Sequence, residues 1–228
     1  MIGIIGAMEE EVIILKELMD IYDTKKVGLT EFIVGSLHGR GIVLAKSGIG
    51  KVNAARTATL LMEKFQIEAV INTGSAGGLK SEAKIGDVVI SDGVSYHDVD
   101  VTGFGYERGQ VPGLPTVFSS DTGLMKKVDA VLTEARIDHF VGHILTGDVF
   151  IYRPDQLTLV KEAFPNAVAL EMEAAAIAQV CYLEKIPFLV VRALSDIAGK
   201  ASDISFEEFL PKAALASSKM IEALIKRM

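Results

Sequence analysis

Residues 2–11 read Ile-Gly-Ile-Ile-Gly-Ala-Met-Glu-Glu-Glu, a short apolar strand that passes directly into an acidic helix start. The same change recurs at Glu171-Met172-Glu173 and at Ser195-Asp196, each of which follows an apolar strand-like run. Because the carboxyl ends of strands in an open α/β sheet form the ligand crevice, we expect these carboxylates to gather at one sheet edge. The Gly-rich turn at residues 72–78 (Asn-Thr-Gly-Ser-Ala-Gly-Gly) is expected beside them, since small residues let backbone N–H groups approach a ligand closely.

Strand-like and helix-like runs alternate outward from these points. We expect strands at residues 2–6, 32–37, 41–46, 69–73, 141–146, 167–170 and 187–194, with a hairpin through residues 37–40, and a longer strand that begins at residues 86–91 and runs toward His97. Helices are expected at residues 9–19, 51–65, 122–135, 154–163 and 173–183. The last helix is expected to start at Ser205, which forms a capping box with Glu208, and Pro211 is expected to kink or break it. The pattern predicts one α/β domain over residues 1–228, with a central mixed, mostly parallel sheet flanked by helices.

Residues 97–116 break this alternation. The segment holds four glycines and two prolines together with Phe104 and Tyr106. Long loops in compact domains are usually functional or disordered, and the aromatic residues favour order. We therefore expect a long ordered loop.

Composition excludes several classes of protein. The chain of 228 residues carries a net charge of −7 and has no Lys/Arg run longer than a pair, which argues against a nucleic-acid partner. No apolar stretch approaches the ~18 residues of a membrane span, and the N-terminus lacks the basic start of a secretory signal. The single cysteine, Cys181, lies in an apolar run and is expected to be a small buried hydrophobe. A reducing cytoplasm is the expected compartment.

Familiar catalytic signatures fail on inspection. Residues 48–53 begin like a dinucleotide fingerprint, but Asn53 stands at the third Gly position, and Val52 replaces the Ser or Thr of a P-loop. Ser75 lacks the Gly two positions earlier that a nucleophile elbow needs. The four histidines show no metal-ligand spacing, so no metal and no cofactor is expected, and His97-Asp98 is interpreted as part of the loop.

Each carboxylate also has a structural alternative. The glutamates at 9–11 could simply complement the positive end of a helix, and Glu171 and Glu173 could do the same. Asp196 is harder to explain in that way, because it follows a very apolar strand. Removing a carboxyl group from water favours its protonated form, and a proton retained near neutral pH makes a usable general acid.

Six motifs in order carry a resemblance: IIGAMEEE at residues 4–11, SGIGKVNAA at 47–55, NTGSAGG at 72–78, GDVFI at 147–151, EMEA at 171–174 and RALSD at 192–196. Together they resemble the 5′-methylthioadenosine/S-adenosylhomocysteine nucleosidase family, which has the nucleoside phosphorylase α/β fold. The likeness also takes in residues 96–98 and 104–106 and runs to the final helix. Departures lie at residues 152–154 (Tyr-Arg-Pro), at Gly199-Lys200 and at Pro211.

The resemblance implies a cytoplasmic homodimer that cleaves the N-glycosidic bond to adenine with water, in methionine salvage. Glu11 would activate the water and Asp196 would protonate N7 of the leaving base. The implied substrate-binding residues are Met8, Ile49, Ser75, Gly77, Phe150, Ile151, Glu171, Met172, Glu173, Arg192, Ser195 and Phe206. The residues expected to reach the partner subunit's pocket are Val101, Phe104 and Pro112. Two carboxyl groups flanking the scissile bond, with room for water, form the inverting arrangement.

Other functions remain open at this stage. A purine nucleoside phosphorylase would bind phosphate and normally wants Arg near the Gly-rich turn and the N-terminus, whereas the first arginine here is Arg40. An aminodeoxyfutalosine nucleosidase would keep the hydrolysis and change the substrate. A non-catalytic nucleoside-binding protein would need neither Glu11 nor Asp196. A dinucleotide-dependent oxidoreductase is disfavoured by the missing fingerprint glycine.

Overall fold

The computed structural model describes residues 1–198 and 202–228, and side chains from residue 206 onward except that of residue 207 in the last helix. Strands and helices alternate over this part of the chain. The strands are β1 (Ile2–Gly6), β2 (Asp20–Val27), β3 (Thr30–Leu37), β4 (Arg40–Lys46), β5 (Ala69–Gly78), β6 (Val88–Tyr96), β7 (Phe118–Ser119), β8 (His139–Thr146), β9 (Ala167–Glu171) and β10 (Phe188–Ile197). The helices are α1 (Glu9–Leu18), α2 (Lys51–Lys64), α3 (Thr122–Glu134), α4 (Pro154–Ala163), α5 (Ala174–Glu184) and α6 (Ser202–Ile225).

All strands belong to one mixed sheet. Its order is β10-β6-β8-β9-β5-β1-β4-β3-β2, and β7 pairs with β6. Strands β4, β1, β5 and β10 are parallel neighbours, and β3 joins β4 through the expected hairpin. Because β10 pairs with both β6 and β5, strands β5, β10, β6, β8 and β9 close into a ring. The predicted fold class, a single α/β domain with a mixed central sheet, is confirmed.

Strand β5 corrects one expectation. The Gly-rich segment at residues 72–78 is not a turn before a helix, because β5 continues through Gly78. Gly77 and Gly78 pair with β9 on one side and with β10 on the other. A Cβ on Gly78 would lie 2.9 Å from the Leu194 side chain. The glycines therefore let three strands meet closely where the ring closes.

Helices cover both faces of the sheet. Buried apolar residues of α1, α3 and α6, such as Val12, Val128 and Leu224, share one hydrophobic cluster. Residues of α2 and α5, including Leu61 and Cys181, share another. Cys181 is fully buried and burial raises the pKa of its thiol to about 12, which agrees with the expected role of a buried hydrophobe.

Three further boundaries differ from the sequence prediction. The exposed edge strand β2 was not expected, and neither was the two-residue strand β7. Strand β10 extends to Ile197, so Asp196 lies within the strand, after an irregularity in register between Leu194 and Asp196. The remaining strands and helices agree with the predicted ones to within a few residues at their ends.

Helix α6 also begins earlier than expected. It starts at Ser202 rather than Ser205, and it runs without a break past Pro211 to Ile225. The Ser205 side chain of the predicted capping box lies outside the described side chains, as does the departure at Gly199-Lys200. Within residues 1–198 and 202–228, no helix combines the length and apolar character that crossing a membrane requires.

Candidate active site

A cavity of about 340 Å³ opens where the carboxyl ends of β1, β5, β9 and β10 meet. Its volume is in the range of small-molecule sites, about 300–1,000 Å³. The lining residues come from these strand ends and the segments after them, from the loops after β4 and β8, and from α6: Ala7, Met8, Glu11, Ile49, Ser75, Ala76, Gly77, Phe150, Leu170, Glu171, Met172, Glu173, Ser195, Asp196 and Phe206. The structure thus brings the three acidic segments to one mostly apolar cavity.

Glu11 lies in the first turn of α1 with its carboxylate almost fully buried. Oε2 accepts hydrogen bonds from the backbone N–H groups of Ala7 (2.8 Å) and Met8 (3.2 Å). Oε1 accepts from the backbone N–H of Ser75 (2.9 Å) and from its hydroxyl (3.0 Å). These four donors hold the carboxylate between the start of α1 and the glycine-rich part of β5.

Arg192 is a fully buried cation beneath the cavity. Its guanidinium donates to Thr73 O (3.1 Å) and to Asn72 Oδ1 (2.8 Å), and it pairs with the carboxylate of Glu171. Burial alone would lower the pKa of Arg192, but the carboxylates of Glu171, Glu173 and Glu11 outweigh it and raise the pKa. The arginine therefore stays charged and offsets the acids around it.

Glu171 caps helix α5 from the end of β9. Its Oε2 accepts from the backbone N–H groups of Glu173 (2.9 Å) and Ala174 (2.8 Å), and Oε1 accepts from the Thr146 hydroxyl. Anions are favoured at a helix N-terminus because unpaired N–H groups and the helix dipole meet there. The structure therefore satisfies Glu171 with structural contacts, although its side chain also lines the cavity.

Glu173 has fewer partners and is 5% exposed. Oε1 accepts from the backbone N–H of Gly50 (2.9 Å), and Oε2 lies 3.6 Å from the Arg192 guanidinium. Burial, with the nearby charge of Glu171, raises the pKa of Glu173 to about 7, against the opposing effect of Arg192. A cavity carboxyl that exchanges its proton near neutrality is typical of functional sites.

Asp196 lines the cavity from β10, whereas Glu11 lines it from α1, and Asp196 is 2% exposed. Ser195 Oγ donates to its Oδ1 at 3.0 Å. Gly77 packs directly against the carboxyl, since a Cβ at that position would lie 3.1 Å from Oδ2. The absence of a side chain at Gly77 therefore keeps space beside Asp196.

The apolar wall of the cavity is formed by Met8, Ile49, Met172 and an aromatic pair. The rings of Phe150 and Phe206 meet edge to face, with centroids 5.9 Å apart. Ile151 does not line the main cavity but borders a small adjoining one of about 30 Å³, together with Gly77, Phe150 and Asp196. This side pocket extends the site toward the loop after β8.

The segment at residues 97–117 is the expected ordered loop and contains one 3₁₀ turn, Thr102–Phe104. Asp100 stabilises it by accepting from Thr102 and from Arg108. The three residues expected to reach the partner subunit's pocket are Val101, Phe104 and Pro112, and none of them lines this chain's own cavity. Phe104 is 85% exposed.

Sequence reasoning missed several members of the site. Ala7, Ala76 and Leu170 line the cavity, and each adjoins a residue that was predicted. Asn72 accepts a hydrogen bond from Arg192, and the Thr146 hydroxyl donates one to Glu171. A buried charge needs hydrogen-bonding partners, but the sequence does not indicate which distant residues supply them. In the part of the chain that the structure describes, no group of three or more His, Cys, Asp or Glu side chains could hold a metal ion.

The fold and cavity place the chain in a known class. The family model of the Phosphorylase superfamily matches residues 1–226. The superfamily match agrees with a ligand site at the carboxyl ends of strands in an α/β sheet.

Similar proteins identify the family within this superfamily to which the chain belongs. A 5′-methylthioadenosine/S-adenosylhomocysteine nucleosidase of Staphylococcus aureus is 51% identical over 228 residues, which is the full length of both chains. The solved structure of the nucleosidase of that name from Neisseria meningitidis, in complex with methylthio-immucillin-A, matches with a TM-score of 0.98 and 43% identity, over 100% of this chain and 99% of the other. The chain therefore belongs to the phosphorylase superfamily and, within it, to the 5′-methylthioadenosine/S-adenosylhomocysteine nucleosidases.

A further solved structure carries a different name. The futalosine hydrolase of Helicobacter pylori strain 26695 matches with a TM-score of 0.95 and 32% identity, over 100% of this chain and 97% of the other. The same fold therefore accommodates proteins named for different nucleosides.

Proposed function

We propose that this chain hydrolyses the N-glycosidic bond of 5′-methylthioadenosine and S-adenosylhomocysteine, and also of 5′-deoxyadenosine, releasing adenine and the 5-substituted ribose. The observation that carries the proposal is that two buried carboxyl groups, Glu11 of α1 and Asp196 of β10, line one cavity. The family membership supports the reaction class, and the S. aureus relative carries the name of both substrates.

In this mechanism Asp196 donates a proton to N7 of adenine. The base leaves poorly as an anion, and a positioned acid contributes typically 10²–10⁴-fold. Asp196 is almost fully buried, and Gly77 has no side chain to fill the space directly beside its carboxyl group. Loss of the base leaves an oxocarbenium-like sugar, which water attacks from the opposite face.

Glu11 polarises that water. Its two oxygens accept four hydrogen bonds in the free protein, one of them from the Ser75 hydroxyl. A hydroxyl can rotate, whereas the three backbone donors are fixed. Rotation of the Ser75 hydroxyl frees a lone pair of Oε1 for the water while the carboxylate keeps its orientation.

The remaining residues bind the substrate. Glu173 and the backbone of Met172 hold the ribose hydroxyls, with Glu171 and Arg192 supporting that arrangement. Phe150 stacks on the base, and the backbone of Ile151 hydrogen-bonds it from the side pocket. Adaptable thioether and apolar side chains suit a 5′-alkylthio group; those near that group are Met8, Ile49 and Phe206, while Ser75, Gly77 and Ser195 complete the wall.

The electrostatics favour water over phosphate as the nucleophile. The arginine nearest Gly74, Arg192, already faces the carboxylates of Glu171, Glu173 and Glu11. Among the described residues, the cavity lining contains no lysine or arginine. A phosphate dianion in that cavity would meet several carboxyl groups and no free cation.

The test is adenine release from 5′-methylthioadenosine by the purified chain in phosphate-free buffer, followed by chromatography of both products. We expect adenine and 5-methylthioribose in equimolar amounts, at a rate that added phosphate does not change. A strict requirement for phosphate, with a ribose-1-phosphate product, would show a phosphorylase instead.

The second candidate substrate is aminodeoxyfutalosine, which the match to the H. pylori futalosine hydrolase favours. Aminodeoxyfutalosine and S-adenosylhomocysteine both carry larger and more polar 5′ groups than 5′-methylthioadenosine does, and Met8, Ile49 and Phe206 of this cavity would meet each of these groups. A side-by-side comparison of kcat/KM for 5′-methylthioadenosine, S-adenosylhomocysteine, 5′-deoxyadenosine and aminodeoxyfutalosine separates the two assignments.

The proposed setting is methionine salvage in the cytoplasm, with the chain acting as a homodimer. Exposed apolar side chains at one surface are typical of interfaces, and Phe104, Tyr106 and Val117 are exposed on or beside the long loop. In the dimer, Val101, Phe104 and Pro112 reach the partner subunit's pocket. Sedimentation equilibrium should give a mass of twice 24.5 kDa; a monomer that remains fully active would remove this part of the proposal.

A further inference from the structure

A second polar cluster lies at the start of α2 and is separate from the residues given roles above. It consists of Lys51, Asp98 and Asp148. Oδ2 of Asp98 accepts from the Lys51 ammonium at 2.6 Å and from the backbone N–H of Asp148 at 2.9 Å. The Lys51 ammonium also lies 5.3 Å from the centre of the Tyr96 ring. Burial alone would raise the pKa of Asp98, but these two donors lower it below its ordinary value.

The cluster holds the first residues of helix α2. The first N–H groups of a helix have no partner within the helix, and the cap residue Gly50 has no side chain to supply one. Here the carboxylate of Asp148 accepts from the backbone N–H of Lys51 at 2.8 Å. The neighbouring N–H of Gly50 donates to Glu173 at 2.9 Å. Two carboxylates from distant segments thus cap the same helix end side by side.

The position of Asp148 at this helix end also favours glycine at residue 50. The φ of Gly50, +95°, lies in the region that favours glycine, and a Cβ there would lie 3.0 Å from Oδ1 of Asp148. The N–H groups of Gly50 and Lys51 are consecutive and donate to Glu173 and to Asp148, so a displacement of Asp148 would be transmitted to the donor that Glu173 uses. Asp98 fixes Asp148 through its backbone N–H, and Lys51 through its ammonium.

We propose that Asp98 is a positioning residue that sets the Glu173 carboxylate and the loop bearing Phe150 relative to each other. Asp98 makes two contacts. Its contact with the Lys51 ammonium positions the N-terminus of α2, and with it the N–H of Gly50. Its contact with the backbone N–H of Asp148 positions the loop after β8. The functional half of this inference depends on the proposed function, in which Glu173 holds the ribose hydroxyls.

The structural half is tested without any activity, by backbone amide hydrogen exchange in the ligand-free protein. Asp98→Ala removes the oxygen that accepts both hydrogen bonds and should speed exchange at Gly50 and Lys51 about tenfold or more. Asp98→Asn retains an acceptor oxygen and should give a smaller change. Asp100→Ala is the matched control, since Asp100 is two residues away and contacts only Thr102 and Arg108 among the described partners. Unchanged exchange at Gly50 and Lys51 in Asp98→Ala overturns the proposal.

The functional half is tested with two substrates, 5′-methylthioadenosine and its 2′,3′-dideoxy analogue. For Asp98→Ala we expect kcat/KM to fall about tenfold on the first substrate, as for one weakened hydrogen bond to a charged group, and much less on the analogue, which has no hydroxyls for Glu173. Asp98→Asn should recover most of the loss. Asp129→Ala, which removes a carboxylate of α3 that contacts only His139 among the described partners, should match the wild type. Equal losses on both substrates would mean a merely structural effect and overturn the proposed role. A wild type that cleaves neither substrate refutes the proposed function instead. The hydrogen-exchange result then tests, without any activity, whether Asp98 positions the start of α2.

Discussion

Glu173 makes the native state sensitive to pH, and Glu173→Gln should remove that sensitivity. The carboxyl is 5% exposed, and burial together with the charge of Glu171 raises its pKa from the ordinary 4.5 to about 7. Between these two values the folded chain keeps a proton that the unfolded chain has released. The stabilising effect of that proton is fully present below pH 4.5 and is lost as the pH rises to 7.

The magnitude follows from the two pKa values. Each pH unit between 4.5 and 7 changes the free energy of unfolding by about 1.4 kcal/mol. The wild type should therefore lose about 3 kcal/mol over this interval relative to Glu173→Gln, which has no proton to release. Glutamine is nearly isosteric and its carbonyl oxygen can still accept from the Gly50 N–H, so packing differs little.

The assay is urea denaturation of both proteins at several pH values from 4 to 9, with linear extrapolation to water. The free energy of unfolding of the wild type minus that of Glu173→Gln should fall as the pH rises through this range, and it should level off above about pH 8. Glu10→Gln is the control, because the Glu10 side chain is exposed in the folded chain. A difference that stays constant with pH, or that grows in favour of the wild type at high pH, would refute the reasoning.

Two further substitutions test the buried framework by denaturation. Arg192→Met leaves the carboxylates of Glu171 and Glu173 without their cation and should lower the free energy of unfolding by about 3–5 kcal/mol. The control Arg227→Met, at an exposed ion pair, should change stability little. Equal losses of stability in the two variants would contradict the account. Gly74→Ala places a Cβ 2.5 Å from Oε1 of Glu11 at a φ of +147° and should cost about 2 kcal/mol or more. Its control is Gly41→Ala on β4, where the nearest atom is the flexible Met1 side chain at 3.4 Å, and a neutral Gly74→Ala would show that the site tolerates a displaced Glu11.

The parts of the fold that the sequence predicted are those with a clear period. Helix α1 has Val12 and Leu15 buried on one face, and Met19, the residue just after the helix, is buried as well. The β3–β4 hairpin has His38 and Gly39 with positive φ, as a two-residue turn requires. Strand β2 could not be predicted in this way, because four of its eight residues are charged and all but the last are exposed. An edge strand of that kind gives no alternation to detect.

The glycine-rich segment misled sequence reasoning for a physical reason. Glycine is depleted in strands, so residues 72–78 resembled a turn. The strand persists because Gly77 and Gly78 lie between β9 and β10, where larger residues would not fit. This requirement comes from the closure of the ring, which depends on residues about 90–120 positions away.

The same limit applies to the candidate site. The carboxylates Glu11, Glu173 and Asp196 were predicted because each follows an apolar strand. The contacts that orient them were not, because Gly50 meets Glu173 across 123 residues and Asp98 meets Asp148 across 50. Local motifs predict which residues carry chemistry, whereas their orientation depends on segments that only the fold brings together.

The central claim is that Glu11 and Asp196 act on one nucleoside, as the water-polarising base and the proton donor. The most direct test is the rate of adenine release from 5′-methylthioadenosine by Glu11→Gln and by Asp196→Asn, with thermal unfolding of each variant measured in parallel. We expect both variants to stay folded and to be slower than the wild type by at least about 100-fold. A folded variant that releases adenine at a near-normal rate would contradict the claim for the residue it replaces.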